Sequence, residues 1–100
     1  MQEMKGLEEL RRELDAVDRE LVRLFERRMA IAGQVAACKI AAGRPVLDRT
    51  REEAVLASRA AMLENPAWES DVRQLFETLM ALSRGEQQRI MDGQEADGHA

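Results

Sequence analysis

The sequence has no tyrosine, one tryptophan (Trp68) and two phenylalanines (Phe25 and Phe76), so aromatic packing cannot build its interior. Any core must come from Leu, Val, Ile, Met and Ala. The single cysteine, Cys38, excludes a disulfide within the chain and suits a reducing compartment, which sets an expectation of a cytoplasmic protein. The single histidine, His99, is the next-to-last residue, and neither a Cys/His pairing nor a metal-ligand cluster can be assembled from this set. There is no long uncharged apolar run, and the opening Met-Gln-Glu-Met-Lys-Gly has no apolar segment of the signal-peptide kind. Neither a membrane span nor a secretory leader is expected. Dense basic runs are also missing. The net charge is −4, and the Lys and Arg residues are scattered among acids, which argues against a nucleic-acid surface.

What is present is helical period. Leu7, Leu10, Leu14, Val17, Leu21 and Leu24 alternate in steps of three and four, and the same steps continue through Arg28, Ile31, Val35, Cys38 and Ala42. This predicts one helix from about Leu7 to Ala42, with Gly43 and Arg44-Pro45 as its stop. A second helix begins at the N-cap Asp48 and runs to about Glu64, with Val55, Leu56, Met62 and Leu63 on its buried face. Asn65-Pro66 opens a third, whose face carries Trp68, Val72, Leu75, Phe76, Leu79, Leu82, Ser83, Gln87 and Ile90. Cys38 reads as core packing. The expected organisation is a flexible segment at residues 1–6, a helical domain at 7–91 and a disordered tail at 92–100, where the apolar period ceases.

The first helix, at 36 residues, would be roughly 54 Å long. A compact chain of this size has a radius of gyration of only about 13 Å. Two shorter helices cannot cover both ends, so the stripe calls for a second chain, most simply a two-fold partner. A fused neighbouring domain would serve the same purpose.

The informative residues are those that break the stripes. Arg28 takes a seam position, and Lys39 lies three turns further along the same face. Asp48, Arg51 and Glu52 head the second helix on the face of Val55 and Leu56. Ser83 and Gln87 sit one turn apart on the third, and Arg11 flanks the first seam. A lone Arg on a helix is ordinarily solvated or snorkels past an apolar neighbour. Four bases and two acids converging on a core are different, because buried charges cost several kcal/mol each unless matched. An excess of cations implies an anionic ligand, and Arg reads carboxylates bidentately. Arg11 and Lys39 lie roughly 42 Å apart along one helix and cannot serve one small ligand from the same chain. An antiparallel pair of chains centred near Phe25 would bring the partner's Arg11 level with Lys39.

These residues carry a family likeness. Leu10-Arg11, Leu14-Asp15, Val17-Asp18, Glu26-Arg27-Arg28, Lys39, Arg44-Pro45-Val46, Asp48 and Arg51-Glu52, in this order and spacing, resemble the all-helical chorismate mutases. Among these are the mutase domains of bifunctional mutase–prephenate dehydratase proteins. The likeness spans about Leu7 to Met91. It implies an all-α fold of three helices, one very long and two shorter, in an intertwined homodimeric bundle. It also implies the Claisen rearrangement of chorismate to prephenate, on the route to phenylalanine and tyrosine, with no cofactor, metal or covalent intermediate. By position, Arg28 and the partner's Arg11 would grip the substrate carboxylates. Lys39 would reach a carboxylate and the ether oxygen of the breaking bond, and Gln87 would donate to that oxygen. Glu52 would accept from the ring hydroxyl with help from the backbone at Asp48. Arg51 would order the acids, and Ser83 would bind the ring carboxylate.

Two other readings stay open at this point. Isochorismate-pyruvate lyases share the fold and a similar cationic pocket. A non-catalytic helical dimerisation or regulatory module would also have a long seam, although such a seam would favour Leu over Arg28. Gly85, inside the third helix, suggests close packing or a local irregularity, since a helical glycine costs about 1 kcal/mol against alanine.

Overall fold

The computed structural model describes residues 4–98. Residues 1–3 of the N-terminal segment, and His99 and Ala100 of the tail, lie outside the described residues. Helix α1 spans Leu7–Ala42, as the period predicts, with Glu8 and Glu9 in its first turn where the helix dipole favours acids. It stops in a Schellman arrangement. Gly43 takes the left-handed region at φ 66°, its N–H bonds to the Ile40 carbonyl at 3.2 Å, and the Arg44 N–H bonds to the Lys39 carbonyl at 2.8 Å. That reversal turns the chain back across the last turn of α1.

Helix α2 spans Arg49–Ala61 and is capped by Asp48, whose carboxylate accepts the Arg51 N–H at 3.0 Å. It ends short of Glu64 because the Met62 and Leu63 N–H groups bond three residues back, to Arg59 and Ala60, tightening the final turn. Met62 therefore falls outside α2 and is exposed, whereas Val55 is buried and Leu56 and Leu63 are half-buried. Asn65 accepts the Ala67 N–H at 3.0 Å, and a 3₁₀ turn at Pro66–Trp68 leads into helix α3, Glu69–Gly98.

Helix α3 departs from expectation in three places, the first being its start at Glu69, after the 3₁₀ turn that holds Trp68. It runs on to Gly98, so residues 92–98 of the expected tail are helical. The apolar period stops near Met91, but Gln94, Glu95 and Ala96 are good helix formers and can extend a ladder that packing has already nucleated. Gly85 also marks no irregularity: the helix passes straight through it, and a Cβ there would meet nothing within 4 Å.

The helices are arranged around α3, which packs on both α1 and α2, while α1 and α2 have no direct packing among the described residues. The interior is small. It comprises Ala32 and Ala36 from α1, Val55 from α2, and Met80 with the Gln87 amide from α3. Small side chains on α1 allow the close approach, and a Cβ at Gly33 would lie 3.1 Å from Ile90 Cδ1. The N-terminal two-thirds of α1 extends past this core. Leu7, Leu10, Leu14, Val17, Leu21 and Leu24 are all exposed in the single chain, Leu14 at 60%. The molecule measures 68 × 28 × 15 Å with a radius of gyration of 18.3 Å, well beyond the about 13 Å of a compact chain this long. Cys38 is likewise exposed, because the inner face of α1 at this level is taken by Ala32 and Ala36.

The two helical glycines should respond oppositely to substitution. Gly33→Leu is expected to destabilise by about 1–3 kcal/mol through overpacking against Ile90. Gly85→Ala should stabilise by up to about 1 kcal/mol through helix propensity. Urea denaturation of both variants checks the pair; equal effects would contradict the packing described.

Candidate functional site

The space that α1 and α2 leave between them, floored by α3, is an open-sided cavity of about 430 Å³. That is the size range of small-molecule sites. Its polar wall contains Arg28 and Lys39 from α1, Asp48, Arg51 and Glu52 from the start of α2, and Ser83 and Gln87 from α3. Ile31, Ala32, Val35, Val46, Val55 and Met80 supply the apolar part. Seven of the eight residues singled out in the sequence thus converge on one cavity.

Arg11 is the exception. It is exposed on α1, bonded to Glu8 at 3.2 Å, and does not line this cavity. It lies 17 residues before Arg28, roughly 25 Å along the helix, so it cannot reach the cavity of its own chain.

Lys39 is the best-anchored polar group. Its ammonium donates to the Val46 carbonyl at 2.5 Å and to Gln87 Oε1 at 2.9 Å. The chain reversal after Gly43 is what brings Val46 back over the last turn of α1. An ammonium has only donors, so it selects the amide oxygen and fixes which way Gln87 faces. The Gln87 NH₂ group points the other way and donates to Ser83 Oγ at 3.3 Å, one turn earlier on α3. Gln87 is only 6% exposed, and no buried side-chain polar atom among the described residues lacks a partner. The wall is a connected hydrogen-bonded line: Val46, Lys39, Gln87, Ser83.

The charge balance is cationic. Arg28, Lys39, Arg51, Arg59 and Arg84 line the cavity against two carboxylates, Asp48 and Glu52. Both acids are engaged, Asp48 as the α2 cap and Glu52 in an ion pair with Arg84. Burial, and then the positive fields of Arg59 and Arg51, hold Arg28 below the ordinary guanidinium pKa. A guanidinium stays charged regardless. The direction therefore reflects a cost of burying a cation beside other cations, which a bound anion would relieve.

Sequence reasoning missed Arg59 and Arg84. Arg59 lies four residues after Val55 and eight after Arg51, hence on one face of α2, and its guanidinium sits 5.9 Å from the Phe76 ring centroid. Arg84 lies three residues before Gln87 on α3. These spacings were available as signals, but a charged residue at helical spacing is usually solvated. The Glu52 partner is also a surprise. The expectation was Arg51, yet Arg51 contributes its backbone N–H to the cap, while the guanidinium that meets Glu52 comes from α3. Among the described residues, no group of three or more His, Cys, Asp or Glu could hold a metal ion, and no helix is long and apolar enough to cross a membrane.

Fold and cavity together define a helical protein with a cation-lined pocket. Residues 10–88 match the family described as chorismate mutase type II, and the chain belongs to that family. It is similar to the T-protein of Haemophilus influenzae, at 36% identity over 69 residues. The matched region covers 69% of this chain and 18% of that protein, so the chain spans less than a fifth of its relative's length. No solved structure matches.

The part-buried Lys39–Gln87 contact should be visible in stability. Lys39→Met leaves the Gln87 oxygen without its donor and is expected to cost about 1–3 kcal/mol, whereas adding Gln87→Met should restore most of that loss. A double-mutant cycle by chemical denaturation checks this; additive losses would mean that the contact does not form.

Proposed function

We propose that the protein is a homodimeric chorismate mutase that rearranges chorismate to prephenate, serving phenylalanine and tyrosine synthesis. The observation that carries this reading is the fixed Lys39–Gln87 pair on the wall of a cavity with excess positive charge. In the rearrangement the ether C–O bond breaks as the enolpyruvyl methylene carbon bonds to the ring, and no proton changes hands. Negative charge grows on the ether oxygen in the transition state. Donors already held at that point stabilise the transition state more than the ground state.

Lys39 and the Gln87 amide N–H are those donors in this reading. Val46 and Ser83 hold them before substrate arrives, so little reorganisation is needed at the moment of reaction. Ser83 also binds the ring carboxylate. Arg28 grips the enolpyruvyl carboxylate together with the partner's Arg11. Glu52 accepts the ring hydroxyl, with the Asp48 backbone beside it, and Arg51 adds positive potential. Clamping both carboxylates holds the flexible arm over the ring, which converts a rare conformer into the bound one.

The exposed leucine stripe of α1 supports the dimer. Six apolar residues at steps of three and four form a seam that the described residues of the single chain leave uncovered, and a second α1 running antiparallel would bury it. The same geometry brings the partner's Arg11 to the cavity, which the chain's own Arg11 cannot reach.

Purified protein supplied separately with chorismate and isochorismate is expected to form prephenate from the first. Pyruvate from isochorismate with no prephenate from chorismate would instead favour the lyase reading. Site sharing has its own test. Arg11→Ala and Lys39→Ala homodimers should each lose about 100-fold or more in kcat/KM. Unfolded and refolded together, they should recover about a quarter of wild-type activity, because half of randomly assorted dimers are mixed and each mixed dimer holds one complete site. No recovery on mixing would mean that each site is built from one chain.

A further inference from the structure

Arg84 is a cavity residue without a role so far. It projects from α3 one position after Ser83 and forms an ion pair with Glu52 Oε1 on the first turn of α2. The two side chains are 35% and 24% exposed, so this is no fully solvated surface pair of the kind that salt screens away. The pair uses Oε1 and leaves Oε2 for another donor. Glu52 is also the one cavity acid whose charge is not spent on a helix cap.

An acid at this position poses an electrostatic problem. A carboxylate is the right acceptor for a ligand hydroxyl, but its charge repels a ligand that carries two carboxylates of its own. We propose that Arg84 is a positioning residue that neutralises Glu52 and fixes its orientation, so that a strong hydroxyl acceptor can stand beside a dianionic ligand without repelling it. The inference rests on the reading given under Proposed function, because it needs a dicarboxylate that also bears a hydroxyl. It deepens that reading by assigning to Arg84 the ordering role that the motif had suggested for Arg51.

The two possible jobs of the pair, holding α2 to α3 and neutralising Glu52, differ in what rescues them. If neutralisation matters, Arg84→Met leaves an unbalanced carboxylate facing the substrate. KM for chorismate should then rise about 10–100-fold with a smaller fall in kcat, and Arg84→Lys should stay within about threefold of wild type. The decisive comparison uses Glu52→Gln as background, where there is no charge to neutralise. There, Arg84→Met should move KM by less than about threefold. Melting followed by circular dichroism identifies any variant that has lost its fold, and Arg84→Gln then takes the place of Arg84→Met.

If Arg84→Met shifts KM equally in both backgrounds, or lowers only the melting temperature, the pair is a structural staple and the inference is overturned. Should wild-type protein fail to turn over chorismate, the functional reading falls and the inference falls with it. Turnover by wild type with an unmoved KM in Arg84→Met overturns the inference alone.

Discussion

The ammonium of Lys39, held between the Val46 carbonyl and the Gln87 amide, is the interaction on which the rest of the site depends. It ties together three pieces of chain: the last turn of α1, the link before α2 and the middle of α3. Among the described residues α1 and α2 do not pack on each other, so the cavity between them is held in shape by α3 and by this contact. The contact also imposes chemistry. A donor-only group chooses the oxygen of the Gln87 amide and so presents the NH₂ as a donor, without needing a substrate to set the orientation.

Around this anchor the structure concentrates cations and ties up both of the cavity's acids. Asp48 is used as a helix cap and Glu52 as the partner of Arg84. What remains is a wall of guanidinium and ammonium groups, in which burial and then the fields of Arg59 and Arg51 lower the pKa of Arg28. Such a wall is costly when empty, a cost that bound carboxylates would offset.

The sequence disclosed most of this, because helical period and caps are local. The bounds of α1 follow from its repeating steps and from Gly43, and Asp48 caps α2 as its residue type predicts. Arg28, Lys39, Asp48, Arg51, Glu52, Ser83 and Gln87 were legible as polar residues at positions that call for apolar ones, and they line one cavity. Other features were hidden for a physical reason. In a chain that is 34% charged, Arg59 and Arg84 look like any solvated arginine until the facing helix is in place. Cys38 sits at helical spacing yet lies off the narrow stripe of Ala32, Gly33 and Ala36 that α3 covers, and Met62 falls past the tightened last turn of α2. Gly85 shows only that a residue is small, not what lies opposite it. At residues 92–98 the apolar period was the wrong guide, since a helix already anchored by packing can continue on backbone bonds alone.

In the proposed reaction Gln87 is a hydrogen-bond donor whose direction Lys39 sets. The pH dependence of kcat in Gln87→Glu tests this most directly. A glutamate side chain can donate only when protonated, and the ammonium of Lys39 favours its charged form. The variant should therefore lose about 100–1,000-fold near neutral pH and regain activity progressively as the solution is made acidic. A pH profile parallel to that of wild type, whatever its height, would contradict the account.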